Sequence, residues 1–304
     1  MEGGNRRRTP ARIFRDIGAE IGGWNLGGHH WLRQYRLFFG VTPLKAAYFW
    51  DLLLARHGNH GYSFKHLLWT FYFLKHYNTE EANASTCGTT EKTLREKVFG
   101  VVELLSTLKI IDWEQQKVGR KPWNQCLVSV DGTDFRIEEQ FPFNRKWYSH
   151  KFNGPGVRYE VAIAIETGWI VWINGPFACG AWPDLRIVRD SLNGSLEPRE
   201  FYIADGGYYD GYNYAVTPTG YHLYSDRVRA LVRARHENIN RRFKTWKCLS
   251  SRWRHPLDKH GMVMRAVANI VQVGLMTDER TWDIHYDERD FEDRFLMQGT
   301  EGEH

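Results

Sequence analysis

Cys126-Leu127-Val128-Ser129-Val130-Asp131-Gly132-Thr133 decides how the rest of this chain is read. An apolar, β-branched run closed by an acid and a glycine reads as a buried strand ending at a turn. Phe201-Tyr202-Ile203-Ala204-Asp205, followed by Gly206-Gly207-Tyr208, repeats the pattern 74 residues on, acid to acid. Glu237 lies 32 residues further, inside a long basic helical pattern. Two acids at strand ends and one on a later helix give three carboxylates able to share a divalent cation. Mg²⁺ and Mn²⁺ are hard cations that prefer carboxylate oxygens. Two such ions, about 3.5–4 Å apart, can activate an attacking oxygen and steady a leaving one in phosphoryl transfer. Taken singly, an Asp before Gly is more often a turn residue.

Around these acids the periodicity is that of strands. Phe135 and Ile137 alternate with Asp134, Arg136 and Glu138, which predicts a second strand. Residues 145–156 read as a loop carrying Lys146, His150 and Lys151 and a Gly154-Pro155-Gly156 turn. Residues 157–165 and 169–173 read as two strands joined at Gly168, with Gly175-Pro176 breaking the pattern. Residues 184–192 read as a helix. Another spans 226–249, with Val228, Leu231, Val232, Ile239, Phe243 and Trp246 on one face. Glu237 falls opposite that stripe, among Arg233, Asn240, Arg241 and Lys244. A further helix is expected over 261–276.

Upstream, residues 31–113 are helical in pattern, and 64–74 are apolar nearly all round. Thr79-Glu80 and Thr90-Glu91 are helix-start signals on either side of Cys87-Gly88. A short helix, a glycine turn and a longer helix carrying Lys92 and Arg95 outline a helix-turn-helix, although ordinary helix packing gives the same outline. The polar stretch 112–124 has linker composition. The expected organisation is a flexible basic arm (1–30, with a short helix near 10–20), a helical and possible DNA-binding domain (31–113), an α/β domain (124–277) and an acidic tail (278–304). The fold class is α/β: a mixed sheet flanked by helices, preceded by an all-α part.

Of the 304 residues, 42% are hydrophobic and 15% aromatic, enough for a sizeable core and against global disorder. The formal net charge of +5 hides an asymmetry. Residues 225–259 carry eleven Lys or Arg against three acids, and 278–304 carry three against ten. A local basic patch suits a polyanion, and equally a solvated helix face. Four scattered cysteines with no CxxC pair argue against a structural zinc; Cys126 and Cys248, in apolar surroundings, read as buried thiols, which fits a reducing compartment. No signal peptide and no apolar run of bilayer length is evident, so no membrane is expected. Arg6-Arg7-Arg8 is a weak nuclear address.

Val130-Asp131-Gly132-Thr133, Pro183-Asp184-Leu185-Arg186-Ile187, Ala204-Asp205-Gly206-Gly207-Tyr208 and Arg235-His236-Glu237-Asn238-Ile239-Asn240-Arg241-Arg242-Phe243-Lys244 follow one another in this order. Together they resemble the blocks of DDE transposases of the PIF/Harbinger type and their domesticated, nuclease-like relatives. The resemblance covers about residues 120–290, and the N-terminal helices more loosely. It implies an RNase H-like catalytic fold, a pair of Mg²⁺ or Mn²⁺ ions, and cutting and joining of DNA. Carried over by position, Asp131, Asp205 and Glu237 are the metal triad. Asp184 is an auxiliary acid, since its block reads Pro-Asp-Leu where the family usually has His-Asp-Ser; a helix N-cap is an equal reading. Arg229, Arg233, Arg241, Arg242, Lys244 and Lys247 would hold phosphates, with Lys146 and Lys151 near the first acid. His150 reads as a surface loop residue. The resemblance also implies a nuclear location, a homo-oligomer when active, transposon-end and target DNA as partners, and a separate Myb-like DNA-binding protein. Two rival readings are a domesticated DNA-binding or chromatin-associated protein, and a nuclease of RNA–DNA hybrids.

Overall fold

The computed structural model describes residues 8–121, 124–209, 214–218 and 226–285. They divide into two compact units: one of the described residues within 8–108, 244–251 and 255–269, the other of those within 109–243, 252–254 and 270–285. The division falls at 108–109, just ahead of the polar stretch, and the first unit takes back two later segments.

The first unit is helical: α1 (Ala11–Gly22), α2 (Trp31–Phe39), α3 (Pro43–His57), α4 (Phe64–His76), α5 (Glu80–Cys87) and α6 (Glu91–Ser106). Residues 10–30 are not a loose arm, because α1 seats Phe14 in the core against Trp50 and Phe64. α4 is buried along Leu67–Leu74, as its all-round apolar sequence requires. α5 and α6 form the short-helix, turn, long-helix pair. Gly88 supplies the left-handed cap of α5, and the Thr90 hydroxyl accepts from Thr93 N to start α6.

The second unit is built on a six-stranded mixed sheet. Its strands are β1 (Cys126–Arg136), β2 (Tyr148–Ser149), β3 (Gly154–Ala164), β4 (Ile170–Ala178), β5 (Phe201–Ile203) and β6 (Ala215–Val216). β1 lies at the centre. β3 pairs with it antiparallel on one side, and β4 and β2 pair antiparallel with β3. On the other side β5 runs parallel to β1, and β6 parallel to β5. Helix α7 (Asp184–Asp190) packs on one face, where Val188 joins Val128, Val130, Ala162 and Tyr202. Helix α8 (Asp226–Lys244) packs on the other, where Val228 and Val232 join Cys126, Ile203 and Val216. Cover on both faces explains why β1 reads as a continuous apolar run.

Several expected boundaries move. Asp131-Gly132 is not a turn: β1 continues through it to Arg136, with Asp131 paired to Val161 and Gly132 to Glu160. Gly154-Pro155-Gly156 opens β3 instead of turning ahead of it, and β4 runs on through Gly175-Pro176 to Ala178 across a register shift. Gly168 does turn the β3–β4 hairpin, with φ of 70°. The long basic helix stops at Lys244, and a four-residue helix, α9 (Lys247–Ser250), follows. α10 (Leu257–Met276) starts four residues before the expected Gly261. All four cysteines are free and buried. Among the described residues no single helix is long and apolar enough to cross a membrane. Arg6-Arg7, most of the loop after Tyr208 and residues 286–304 of the acidic tail lie outside the described residues.

Candidate functional site

Strand geometry sorts the acids before any chemistry is considered. Side chains alternate along a strand, so in β1 Val128, Val130 and Gly132 face α7 while Ser129 and Asp131 face α8. Parallel pairing sets Ser129 beside Ile203. Two residues further along come Asp131, still within β1, and Asp205, just past the end of β5 where it caps the turn Gly206–Tyr208. Glu237 sits on α8, over the same face. Ser129, Val130, Asp131, Ile203, Ala204, Asp205, Arg233, His236 and Glu237 line one cavity of about 40 Å³. At roughly 10–15 Å³ per water, that volume has room for a few waters or cations.

Each lining group is held differently. Asn240 Nδ2 donates to Asp131 Oδ2 at 3.0 Å. Asp205 Oδ1 accepts from Gly207 N at 2.8 Å, which fixes the turn after β5. Glu237 is exposed on α8, one turn from Arg233 and one from Arg241, both also exposed. Among the described residues no ion pair reaches Asp131, Asp205 or Glu237. Burial pushes the Asp131 carboxyl up to about 6; Lys151 opposes the shift, and the charges of Glu237, Asp205 and Asp184 add to it. Lys151 Nζ donates to the Gly132 carbonyl at 2.5 Å, beside the first acid.

Sequence reasoning missed three members of this site. His236 is 3% exposed, with its Nδ1 2.9 Å from Ser129 Oγ, and its Nε2 is buried without a hydrogen-bond partner. Burial, with Arg235 next to it, lowers its pKa to about 3 and keeps it neutral. Ser129 is the second, and Asn240 is the third. Asn240 is buried against Asp131 and does not share the solvent face on which the helical wheel had put it. The signal for both α8 residues was present in Arg235-His236-Glu237-Asn238-Ile239-Asn240, polar groups on the stripe side of the helix.

Asp184 does not line the cavity. It begins α7 on the opposite face of β1, where a Cβ on Gly132 would lie 2.2 Å from Asp184 Oδ1. Only glycine leaves room for that approach. Arg158 Nη1 stands 3.0 Å from the same oxygen, without the alignment of a hydrogen bond. Arg158 also grips Asp134, Nε to Oδ1 at 2.7 Å and Nη2 to Oδ2 at 3.0 Å, and Ser149 Oγ adds a third donor. Burial works to raise the Asp134 pKa, but these bonds hold it below its ordinary value. Asp184 remains near the rim, its Oδ2 and Asp205 Oδ1 both within 4 Å of where a Gly207 Cβ would sit.

The expected phosphate contacts divide. Arg233 lines the cavity, and Arg241 is exposed beyond Glu237. Arg229 is half-buried and donates to the Thr217 carbonyl at 3.0 Å. Arg242 donates to Asn238 Oδ1 at 3.2 Å and to the Glu279 carbonyl. Lys146 is exposed, its Nζ 5.3 Å from the Trp147 ring. Lys244, Lys247, Lys92 and Arg95 belong to the helical unit. There Arg95 pairs with Glu80, tying α6 to α5, and Lys92 is exposed.

Among the described residues no three His, Cys, Asp or Glu side chains already stand close enough to hold a metal ion. The donor set fits a hard cation all the same: three carboxylates with no ion pair among the described residues, and a neutral imidazole with one unpartnered nitrogen, around an ion-sized space. No protein-family model, curated protein or solved structure matches the chain.

Proposed function

We propose that this protein is a divalent-cation-dependent enzyme that cuts and joins DNA strands, a nuclease or transposase of the DDE kind on an RNase H-like sheet. The observation that carries the proposal is the convergence of Asp131, Asp205 and Glu237 on one small cavity. The strand path, β1 to β4 joined by antiparallel pairings and then β5 and β6 parallel to β1, supports the RNase H-like reading. Asp131, Asp205 and Glu237 would hold one or two Mg²⁺ or Mn²⁺ ions, with Asp184 outside the set. The bound ions supply an activated water or 3′-hydroxyl and charge relief at the leaving oxygen.

The chain's own residues do the rest. Asn240 fixes the rotamer of Asp131, and the Gly207 amide fixes that of Asp205. Repulsion among three carboxylates keeps them apart until positive charge arrives. Arg233 and Arg241 flank Glu237 by one turn each and are placed to receive phosphates on either side of the scissile bond. Neutral His236 adds no charge to the cavity and leaves Nε2 for a water or cation. Under this reading the working form is a nuclear homo-oligomer, with end recognition supplied by a separate Myb-like protein.

A DNA-binding relative that no longer cuts is the second reading, favoured by the carboxylates standing short of coordination distance. Purified protein, supercoiled plasmid and Mn²⁺ separate the two. The proposal predicts nicking that falls at least about 10³-fold in Asp131→Asn, Asp205→Asn and Glu237→Gln, with circular dichroism unchanged. Binding without nicking in the wild type supports the second reading and overturns the first.

A further inference from the structure

Between β1 and β2 the chain leaves the sheet over residues 137–147 and carries two phenylalanines into solvent. Phe141 is fully exposed, and Phe143 is 62% exposed. Leaving each ring in water forgoes a large share of what burying it would contribute, and two exposed aromatic rings two residues apart on one loop offer an apolar surface to a ligand. Both legs of this excursion are pinned. On the outgoing leg Glu138 N donates to the Trp253 carbonyl at 3.1 Å, and Trp253 N donates to the Arg136 carbonyl at 2.9 Å. On the returning leg Lys146 N donates to Asn144 Oδ1 at 3.1 Å, and Gly180 N donates to the Lys146 carbonyl at 2.8 Å. A Cβ on Gly180 would lie 2.5 Å from the Arg145 carbonyl oxygen, so that leg is packed hard against the turn before α7. The tip therefore stands on a fixed base, and its rings are presented at little ordering cost.

Charge is sorted along the loop. The acids Glu138 and Glu139 are on the outgoing leg, and the exposed cations Arg145 and Lys146 are on the returning one. The returning leg then leads to Lys151, whose ammonium rests on the Gly132 carbonyl beside Asp131. Followed along the chain from the tip come aromatic rings, two cations, and then a third cation whose charge acts on Asp131 of the carboxylate cavity. A ligand matching that order has flat apolar groups on an anionic backbone, which describes an unpaired stretch of nucleic acid. The acidic pair beside the tip disfavours an anionic lipid surface.

We propose that residues 137–147 form a base-stacking finger. In it Phe141 and Phe143 stack on unpaired bases of the strand next to the scissile phosphate, while Arg145 and Lys146 hold its backbone. The proposal rests on the DNA reading above and adds a substrate preference to it. The enzyme takes forked, frayed or single-stranded ends ahead of continuous duplex, with little regard to sequence, because every base has a π-face.

The test uses the full chain with Ca²⁺ and two DNAs of one sequence, a blunt duplex and a fork with 2-aminopurine in its unpaired arm. The fork is expected to bind about tenfold more tightly than the duplex, with the 2-aminopurine fluorescence quenched on binding. Phe141→Ala with Phe143→Ala should abolish both the quenching and the preference while leaving duplex affinity within about twofold; Phe141→Trp with Phe143→Trp should keep both. Both residues are exposed, so melting temperatures should match. A double-alanine variant that keeps the fork preference overturns the finger and leaves the DNA reading standing. Wild-type protein that binds neither DNA overturns both. Phe-dependent sedimentation with phosphatidylserine vesicles, without fork preference, reassigns the tip to a membrane and overturns the finger.

Discussion

The two faces of β1 treat their acids in opposite ways. On the α7 face each acid is compensated. Asp134 is clamped by Arg158 and Ser149, Asp184 lies beside the same guanidinium, and Glu160 escapes charge by keeping its proton. On the α8 face Asp131, Asp205 and Glu237 line one cavity, and among the described residues none has an ion-pair partner. The α7 face supplies its acids with a cation and hydrogen-bond donors from the protein itself. The α8 face is electrostatically unfinished, which is the condition expected of a site whose missing charge comes with its ligand.

If that contrast is right, removing a charge should have opposite effects on the two faces. The largest change is expected at Arg158→Met. It leaves Asp134, whose side chain is 1% exposed, without its cation, and it should lower unfolding free energy by about 3–5 kcal/mol in urea titrations. A loss under about 1 kcal/mol would mean the α7 network is not structural.

Glu160 comes next. It is fully buried, its Oε1 accepts from Trp172 Nε1 and Ser191 Oγ, and burial pushes its carboxyl up to about 8, with those two bonds opposing the shift. The folded pKa is above the unfolded one. Its contribution to stability is therefore fully present below about 4.5 and is lost as pH rises toward 8. Glu160→Gln keeps an acceptor for both donors and has no proton to lose. It should flatten that decline and gain about 2 kcal/mol over wild type at pH 8, read from melts at several pH values.

Asp131→Asn is the smallest and most telling change. The Asp131 carboxyl also sits above its ordinary value, so its share of stability is lost as pH rises through about 6. The cation-free variant should match or exceed the wild type at pH 7.5, by about 1–2 kcal/mol. A loss comparable to that of Arg158→Met would make Asp131 a structural acid and erase the contrast.

The legible part of this design is its outline. Apolar runs around Val128 and Ile203 announced two buried strands, and their terminal acids with Glu237 named the three carboxylates that line the cavity. Which face each acid would take was not legible. Asp131-Gly132 read as a turn because its local chemistry is that of one, and only pairing with Val161 and Glu160 on β3 keeps it extended. Once β1 runs through, alternation sends Asp131 to α8 and opens Gly132 to Asp184. The bond from Asn240 to Asp131 spans 109 residues, and no local pattern encodes it. Nor did charge alone separate Arg233 and Arg241, which remain exposed, from Arg229 and Arg242, which are bonded to main-chain carbonyls.

A Mn²⁺ titration followed by electron paramagnetic resonance addresses the unfinished face without requiring a substrate. Wild-type protein should remove the free-ion signal saturably. Its affinity should climb between pH 5 and 7 as Asp131 loses its proton near 6, and fall at least about tenfold in Asp131→Asn and in Glu237→Gln. A free-ion spectrum untouched by stoichiometric protein at pH 7.5, or uptake identical in wild type and in the variant with all three acids replaced, would contradict the account.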